Sequence, residues 1–118
     1  MPETTAAERE AREQALAAAT LEACHVPLQT ARACARVGAL AAAAASQGNV
    51  NAVTDAGAGG LLARAAGEAA LLNVDINLKT LAGTADKDSV SSQAAAVRAE
   101  LHAATDRCAV AVASAMSA

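Results

Sequence analysis

The chain of 118 residues contains no phenylalanine, tyrosine or tryptophan. That absence excludes base stacking on aromatic side chains, aromatic cages and the sheet platforms of RNA-binding modules. Positive charge is scarce as well. Nine basic residues stand against twelve acidic ones, for a net charge of −3, which argues against a nucleic-acid or acidic-membrane surface. The three cysteines, Cys24, Cys34 and Cys108, are an odd number without CxxC or Cys/His ligand spacing. They read as small buried apolar residues in a reducing compartment, and no metal site is expected. The start, MPETTAAERE, is acidic and lacks the apolar core of a signal peptide. No run carries enough large apolar side chains to span a bilayer, since 39–45 is short and all alanine but for one leucine. The expectation is a single cytoplasmic domain over 1–118.

Hydrophobic residues make up 54% of the chain, but alanine alone is roughly a third of it and is the strongest helix former. Large aliphatics are few enough to suggest disorder on composition, whereas the small net charge and continuous helical patterning argue for order. Close-packed helices that use alanine to approach one another satisfy both facts. A chain this short, with apolar stripes along its helices, then needs a partner to cover them.

The order of elements follows from caps and spacing. Thr5-Ala-Ala-Glu8 has the form of a capping box opening a helix near Ala6. Pro27 predicts a kink or restart rather than an end, because Val26, Ala33, Val37, Leu40 and Ala44 keep a three/four spacing beyond it. Gly48 sits where a left-handed terminating residue belongs. Thr54 or Asp55 is available to cap a second helix, whose stripe reads Leu61, Leu62, Ala65, Ala69, Leu72, Ile76. Residues 73–78 alternate like a strand but have no partner strand, so they read as the continuation of that helix, with Gly83 ending it. Asp86 or Asp88 can cap a last helix with the seam Val90, Ala94, Val97, Leu101, Ala104, Cys108, Val112. The fold class is all-α, an antiparallel multi-helix bundle, expected as a dimer.

No GxSxG, HExxH, P-loop or Rossmann fingerprint is present. His25 and His102 stand without an acid at ligand spacing and read as ordinary helix residues. The unusual feature is amides on alanine-rich elements. Asn73 and Asn77 are four apart and share one side of a helix, although asparagine is a poor mid-helix residue. Asn49, Asn51 and Asp55 crowd a helix start. The Asn73/Asn77 pair suggests a buried polar network or a ligand contact, whereas capping and turn formation is the preferred reading of Asn49, Asn51 and Asp55 on the residues alone.

Gly48-Asn49-Val50-Asn51-Ala52-Val53-Thr54-Asp55, a Gly/Ala-rich helix, and then Asn73-Val74-Asp75-Ile76-Asn77-Leu78-Lys79 resemble the formiminotransferase-cyclodeaminase/methenyltetrahydrofolate cyclohydrolase family. Its members share a GNxNxx[ST]D turn followed at this distance by NVxINLK. Pro2, Arg12 and the segment Ala23-Cys24-His25-Val26-Pro27-Leu28 fall in step with the same family. The resemblance implies an enzyme of folate one-carbon metabolism, of the ammonia-lyase or cyclic-amidine hydrolase type. It closes 5-formimino-tetrahydrofolate to the methenyl form with loss of ammonia, or adds water to the methenyl bridge. The tetrahydrofolate derivative is the substrate, and no tightly bound cofactor is implied.

The resemblance also assigns candidates. Asn49, Asn51, Asn73 and Asn77 would meet the pterin edge, Asp55 would accept or shuttle the proton, and Lys79 would meet the glutamate tail. The family's further N-terminal helical block, with the aspartate usually given to catalysis, has no counterpart in these residues. This chain therefore resembles the C-terminal part of a cyclodeaminase domain, expected to pair as a homodimer or with a separate N-terminal helical partner, and to turn over weakly alone. The competing reading is a non-catalytic helical assembly or folate-binding module.

Overall fold

The computed structural model describes residues 4–117. They form α1 (Ala6–Gln47), a 3-10 turn (Val50–Ala52), α2 (Val53–Leu78) and α3 (Thr84–Ser117), with no strand among the described residues. The fold is all-α. Thr5 opens α1 as its sequence predicts, its hydroxyl accepting the Glu8 backbone N–H at 3.1 Å and so satisfying one of the bare amides of the first turn. The helix then runs 42 residues, through Pro27 without a break. Residues 73–78 are the last part of α2.

Facing residues fix the helix directions. Along α1 and α2 the contacts Ala23–Asn77, Cys34–Gly67 and Ala41–Gly60 run in opposite senses. So do Gly57–Val112, Glu68–His102 and Asp75–Arg98 along α2 and α3. Helices α1 and α3 are parallel, joined by Arg32–Gln93 and by Gly38 against Thr105. The result is an up-down-up bundle measuring 74 × 25 × 16 Å. Its length comes from α1, whose first turns are exposed on every side as far as Ala19. No helix among the described residues is long and apolar enough to cross a membrane.

The seam expected on α3 is present: Val90, Ala94, Val97, Leu101, Ala104 and Cys108 are all buried. On α1 and α2 the core lies on the side opposite the predicted stripes. Val26, Val37 and Leu40 are exposed on α1, while Cys24, Leu28, Ala31, Ala35, Gly38, Ala42 and Ala45 face inward. On α2, Leu61, Leu62, Leu72 and Ile76 are exposed, and Gly60, Ala63, Gly67, Ala70, Leu71 and Val74 face inward. The reason is steric. Where helices approach most closely, at Gly38, Gly60 and Gly67, only small side chains fit between the backbones, and the buried Leu28, Leu71 and Leu101 fill the space between those points.

Gly67 illustrates the fit. A Cβ there would lie 2.5 and 2.8 Å from the two methyls of fully buried Leu101 and 3.2 Å from the Cys34 Cβ. Gly59, on the same helix, has nothing within 4 Å of that point. Gly59→Ala is therefore expected to raise stability by about 0.5–1 kcal/mol through helix propensity. Gly67→Ala is expected to lower it, because overpacking costs about 1–3 kcal/mol and outweighs the same propensity gain. Thermal melts of the two variants should shift in opposite directions; shifts of the same sign would mean that the helices are not in close contact at Gly67.

The connections differ from the expected caps. Gly48 is extended (φ −82°, ψ 173°), not left-handed. A side chain is excluded there because a Cβ would fall 2.4 Å from the Ala44 carbonyl oxygen, which accepts the Gly48 N–H at 2.7 Å. Thr54 and Asp55 lie inside the first turn of α2 and do not cap it; Ala52 holds the cap position with no side-chain bond. Asn49 caps the 3-10 turn instead, its Oδ1 accepting the Asn51 N–H at 2.9 Å. Helix α2 ends at Leu78, where the Thr80 N–H and hydroxyl both donate to the Asn77 carbonyl, at 3.1 and 3.0 Å. Gly83 begins α3 rather than ending α2: its carbonyl accepts the Lys87 N–H at 2.9 Å, leaving Asp86 and Asp88 within the helix.

Candidate functional site

Proline has no N–H, so Pro27 leaves the Ala23 carbonyl, one turn back, without its helical partner. Such a group has to find another donor. Asn77 of α2 provides it, Nδ2 donating to the Ala23 oxygen at 2.9 Å. Around this contact α1 and α2 leave a groove of about 540 Å³. Ala23, Val26, Pro27 and Thr30 form one wall; Ala66, Ala69, Ala70, Asn73 and Asn77 form the other. The room exists because three residues of the α2 wall end at Cβ.

The lining is neutral, with polar groups supplied by two amides and one hydroxyl. Thr30 donates to the Val26 carbonyl at 3.3 Å, and Asn73 Nδ2 reaches the Ala69 carbonyl at 3.4 Å. The latter is a long bond within one helix, so Asn73 is held loosely while Asn77 is held across two helices. A groove with apolar walls and planar amides suits a flat polar ring presented edge-on.

The structure brings Asn73 and Asn77 together and adds Pro27 and Thr30, which sequence reasoning did not place there. A usable signal existed, because a mid-helix proline announces an unmatched carbonyl four residues earlier. Asn49, Asn51 and Asp55 are exposed at the other end of α2. At 1.5 Å rise per residue, Asp55 stands about 27 Å from Asn73 along the helix, so one chain does not unite the two sets. Lys79 is exposed just beyond α2 and lies outside the groove lining.

A second polar cluster lines the α2/α3 rim. Arg64 donates to Thr105 Oγ1 and Asp106 Oδ1, both at 3.0 Å, Arg98 pairs with Asp75 at 3.0 Å, and His102 Nε2 pairs with Glu68. Spacing along the chain could not show an acid beside His102, since Glu68 arrives from another helix. These half-exposed pairs fix the register of α3 on α2 and add little net stability, about 0–1 kcal/mol each.

The cysteines are free, with Cys24 and Cys108 buried and Cys34 half-buried. Burial raises the Cys24 pKa above the usual thiol value of 9.0. The unfolded chain thus loses that proton first. The contribution of Cys24 to stability is complete below the unfolded pKa and declines as pH rises through the folded one. Urea midpoints should accordingly fall at alkaline pH more steeply for the native chain than for Cys24→Ala; parallel curves would contradict this.

A long, neutral-grooved helical bundle with paired asparagines on one wall is the class defined so far. The sequence profile described as formiminotransferase-cyclodeaminase matches residues 1–99, and the chain belongs to that family. It is also similar to the methenyltetrahydrofolate cyclohydrolase of Methylorubrum extorquens, 40% identical over 81 residues. That match takes in 69% of this chain and 39% of the relative, so the chain aligns with about two fifths of that protein's length.

Proposed function

We propose that the α1/α2 groove receives the pteridine ring of a tetrahydrofolate carrying a formimino or methenyl unit, and that the protein acts on the C–N bond of that unit. The carrying observation is Asn73 and Asn77 side by side in a neutral groove. A pteridine edge alternates donors and acceptors in one plane, and amides supply both. Family membership supports the cyclodeaminase reaction, and the name of the Methylorubrum relative supports the cyclohydrolase one. In the latter, water adds to the methenyl carbon, the bond from that carbon to one nitrogen breaks, one water proton ends on the released nitrogen, and a carboxylate takes the other. We assign that proton to Asp55 and the glutamate tail of the folate to Lys79, a point charge at the end of α2. Asn49 and Asn51 belong to the same proposed substrate set.

Asp55 cannot serve the groove of its own chain, so this reading includes a homodimer. On the exposed face of α2, Ala58, Leu62, Ala65, Ala69, Leu72 and Ile76 alternate steps of four and three, a coiled-coil seam. The seam is self-complementary. Paired antiparallel with a second copy about Gly67, it sets Ala58 against Ile76, Leu62 against Leu72 and Ala65 against Ala69. The same register carries Asp55 of the second copy to the level of Lys79, beside the Asn77 end of the groove.

The competing reading, a non-catalytic helical module, draws on one observation: the Asn77 amide is already used on the Ala23 carbonyl. Titration calorimetry with 5-formyl-tetrahydrofolate separates the two. Saturable heat supports the folate site; none at about millimolar ligand, where binding would be worth only ~4 kcal/mol, supports the module.

A further inference from the structure

The contact between Asn77 and Ala23 does more than join two helices. A carbonyl only accepts, so the atom facing Ala23 must be the amide nitrogen; chemistry fixes which way the Asn77 side chain is turned. One of its two N–H groups is committed at 2.9 Å, which fixes the plane and sense of the amide. The oxygen remains, and among the described residues no donor is bonded to it. Asn77 itself lines the groove. Asn73, one turn earlier, has only the 3.4 Å bond within its own helix and can turn either end of its amide to a ligand.

This asymmetry has a single origin. Any residue at position 27 with a backbone N–H would donate to the Ala23 carbonyl, and the Asn77 amide would be released to rotate. We infer that Pro27 is a positioning residue for Asn77. By vacating the Ala23 carbonyl it commits one Asn77 N–H, stops the amide from turning over, and holds Oδ1 as a fixed acceptor at the groove. The groove then selects rings whose facing edge donates, as the 2-amino edge of a pterin does, over rings that offer a carbonyl there. The selectivity rests on the folate reading above; the link between Pro27 and Asn77 does not.

The test is a double-mutant cycle with two ligands. Pro27→Ala restores the N–H without added bulk and favours the helix. Asn77→Leu is expected to lower Tm by about 4–8 °C in the native background, the shift of one lost hydrogen bond. In the Pro27→Ala background it should lower Tm by less than about 2 °C. Equal losses in both backgrounds would overturn the link. The probes are pterin and lumazine, which differ by a 2-amino donor against a 2-oxo acceptor. The native chain should prefer pterin by about tenfold, and Pro27→Ala should reduce that ratio to about twofold, a change that a purely structural role would not produce. An unchanged ratio overturns the selectivity. If neither ring binds the native chain, the folate reading falls and the selectivity with it, while the Tm cycle still decides whether Pro27 positions Asn77.

Discussion

Placing glutamate at both Leu62 and Leu72 is expected to convert the proposed dimer into a monomer without unfolding the chain. Both leucines are about 70% exposed on the single chain, at 71% and 68%, so the fold of one copy does not depend on them. In the proposed antiparallel pairing they meet each other across the seam, twice per dimer. Each leucine buried there is worth about 1.5–3 kcal/mol. Even the smaller figure, over four side chains, amounts to ~6 kcal/mol, or more than a ten-thousandfold rise in the dimer Kd. Sedimentation at micromolar concentration should show the native chain as a dimer or larger and the double variant as a monomer with helical content unchanged. A native chain that sediments as a monomer would remove the second copy from the account. A double variant that still dimerises would place the contact elsewhere, with the exposed Val37/Leu40 stripe of α1 the next surface to test.

The second large effect separates the two asparagines. Asn73→Leu removes a donor and an acceptor from the groove but only a 3.4 Å bond from the fold. Folate binding should weaken by about 1–3 kcal/mol, some 5- to 150-fold, with Tm nearly constant. Asn77→Leu should lower both together, because the Ala23 carbonyl loses the Asn77 donor at the same time. Measuring Kd and Tm for the two variants side by side checks the split. If Asn73→Leu leaves Kd unchanged, that residue is not a ligand contact.

The inverted stripes of α1 and α2 have one physical cause. Periodicity found real stripes on α1 and α2, through Leu40 and Leu72, but could not show which stripe faces inward. In this alanine-rich bundle large residues occur on both faces of α1 and α2, with Leu28, Leu71 and Val74 inside and Leu40, Leu62 and Leu72 outside; Gly60, Gly67, Ala31 and Ala35 mark the inner face, because they set how closely backbones approach. On α3, where Val90, Val97 and Leu101 fall on the small-residue seam itself, the two criteria agree and the expectation held. The Asn73/Asn77 face followed from helical spacing alone. Its partner did not, because the need for a donor at Ala23 arises from Pro27, fifty residues away from Asn77, and only the antiparallel packing of α1 on α2 brings the two together. Likewise, the Asn49–Asp55 turn and the Asn73/Asn77 face lie close in sequence, yet a straight helix holds them apart.

The most direct measurement is the side-chain amide spectrum of the ¹⁵N-labelled chain during titration with 5-formyl-tetrahydrofolate, with the Asn73 and Asn77 resonances assigned by their Leu variants. The account predicts that both move saturably with one Kd, and that the Asn49 and Asn51 amides respond in the native chain but not in the Leu62→Glu/Leu72→Glu monomer. Stationary Asn73 and Asn77 resonances in the presence of bound folate would contradict a site in the α1/α2 groove.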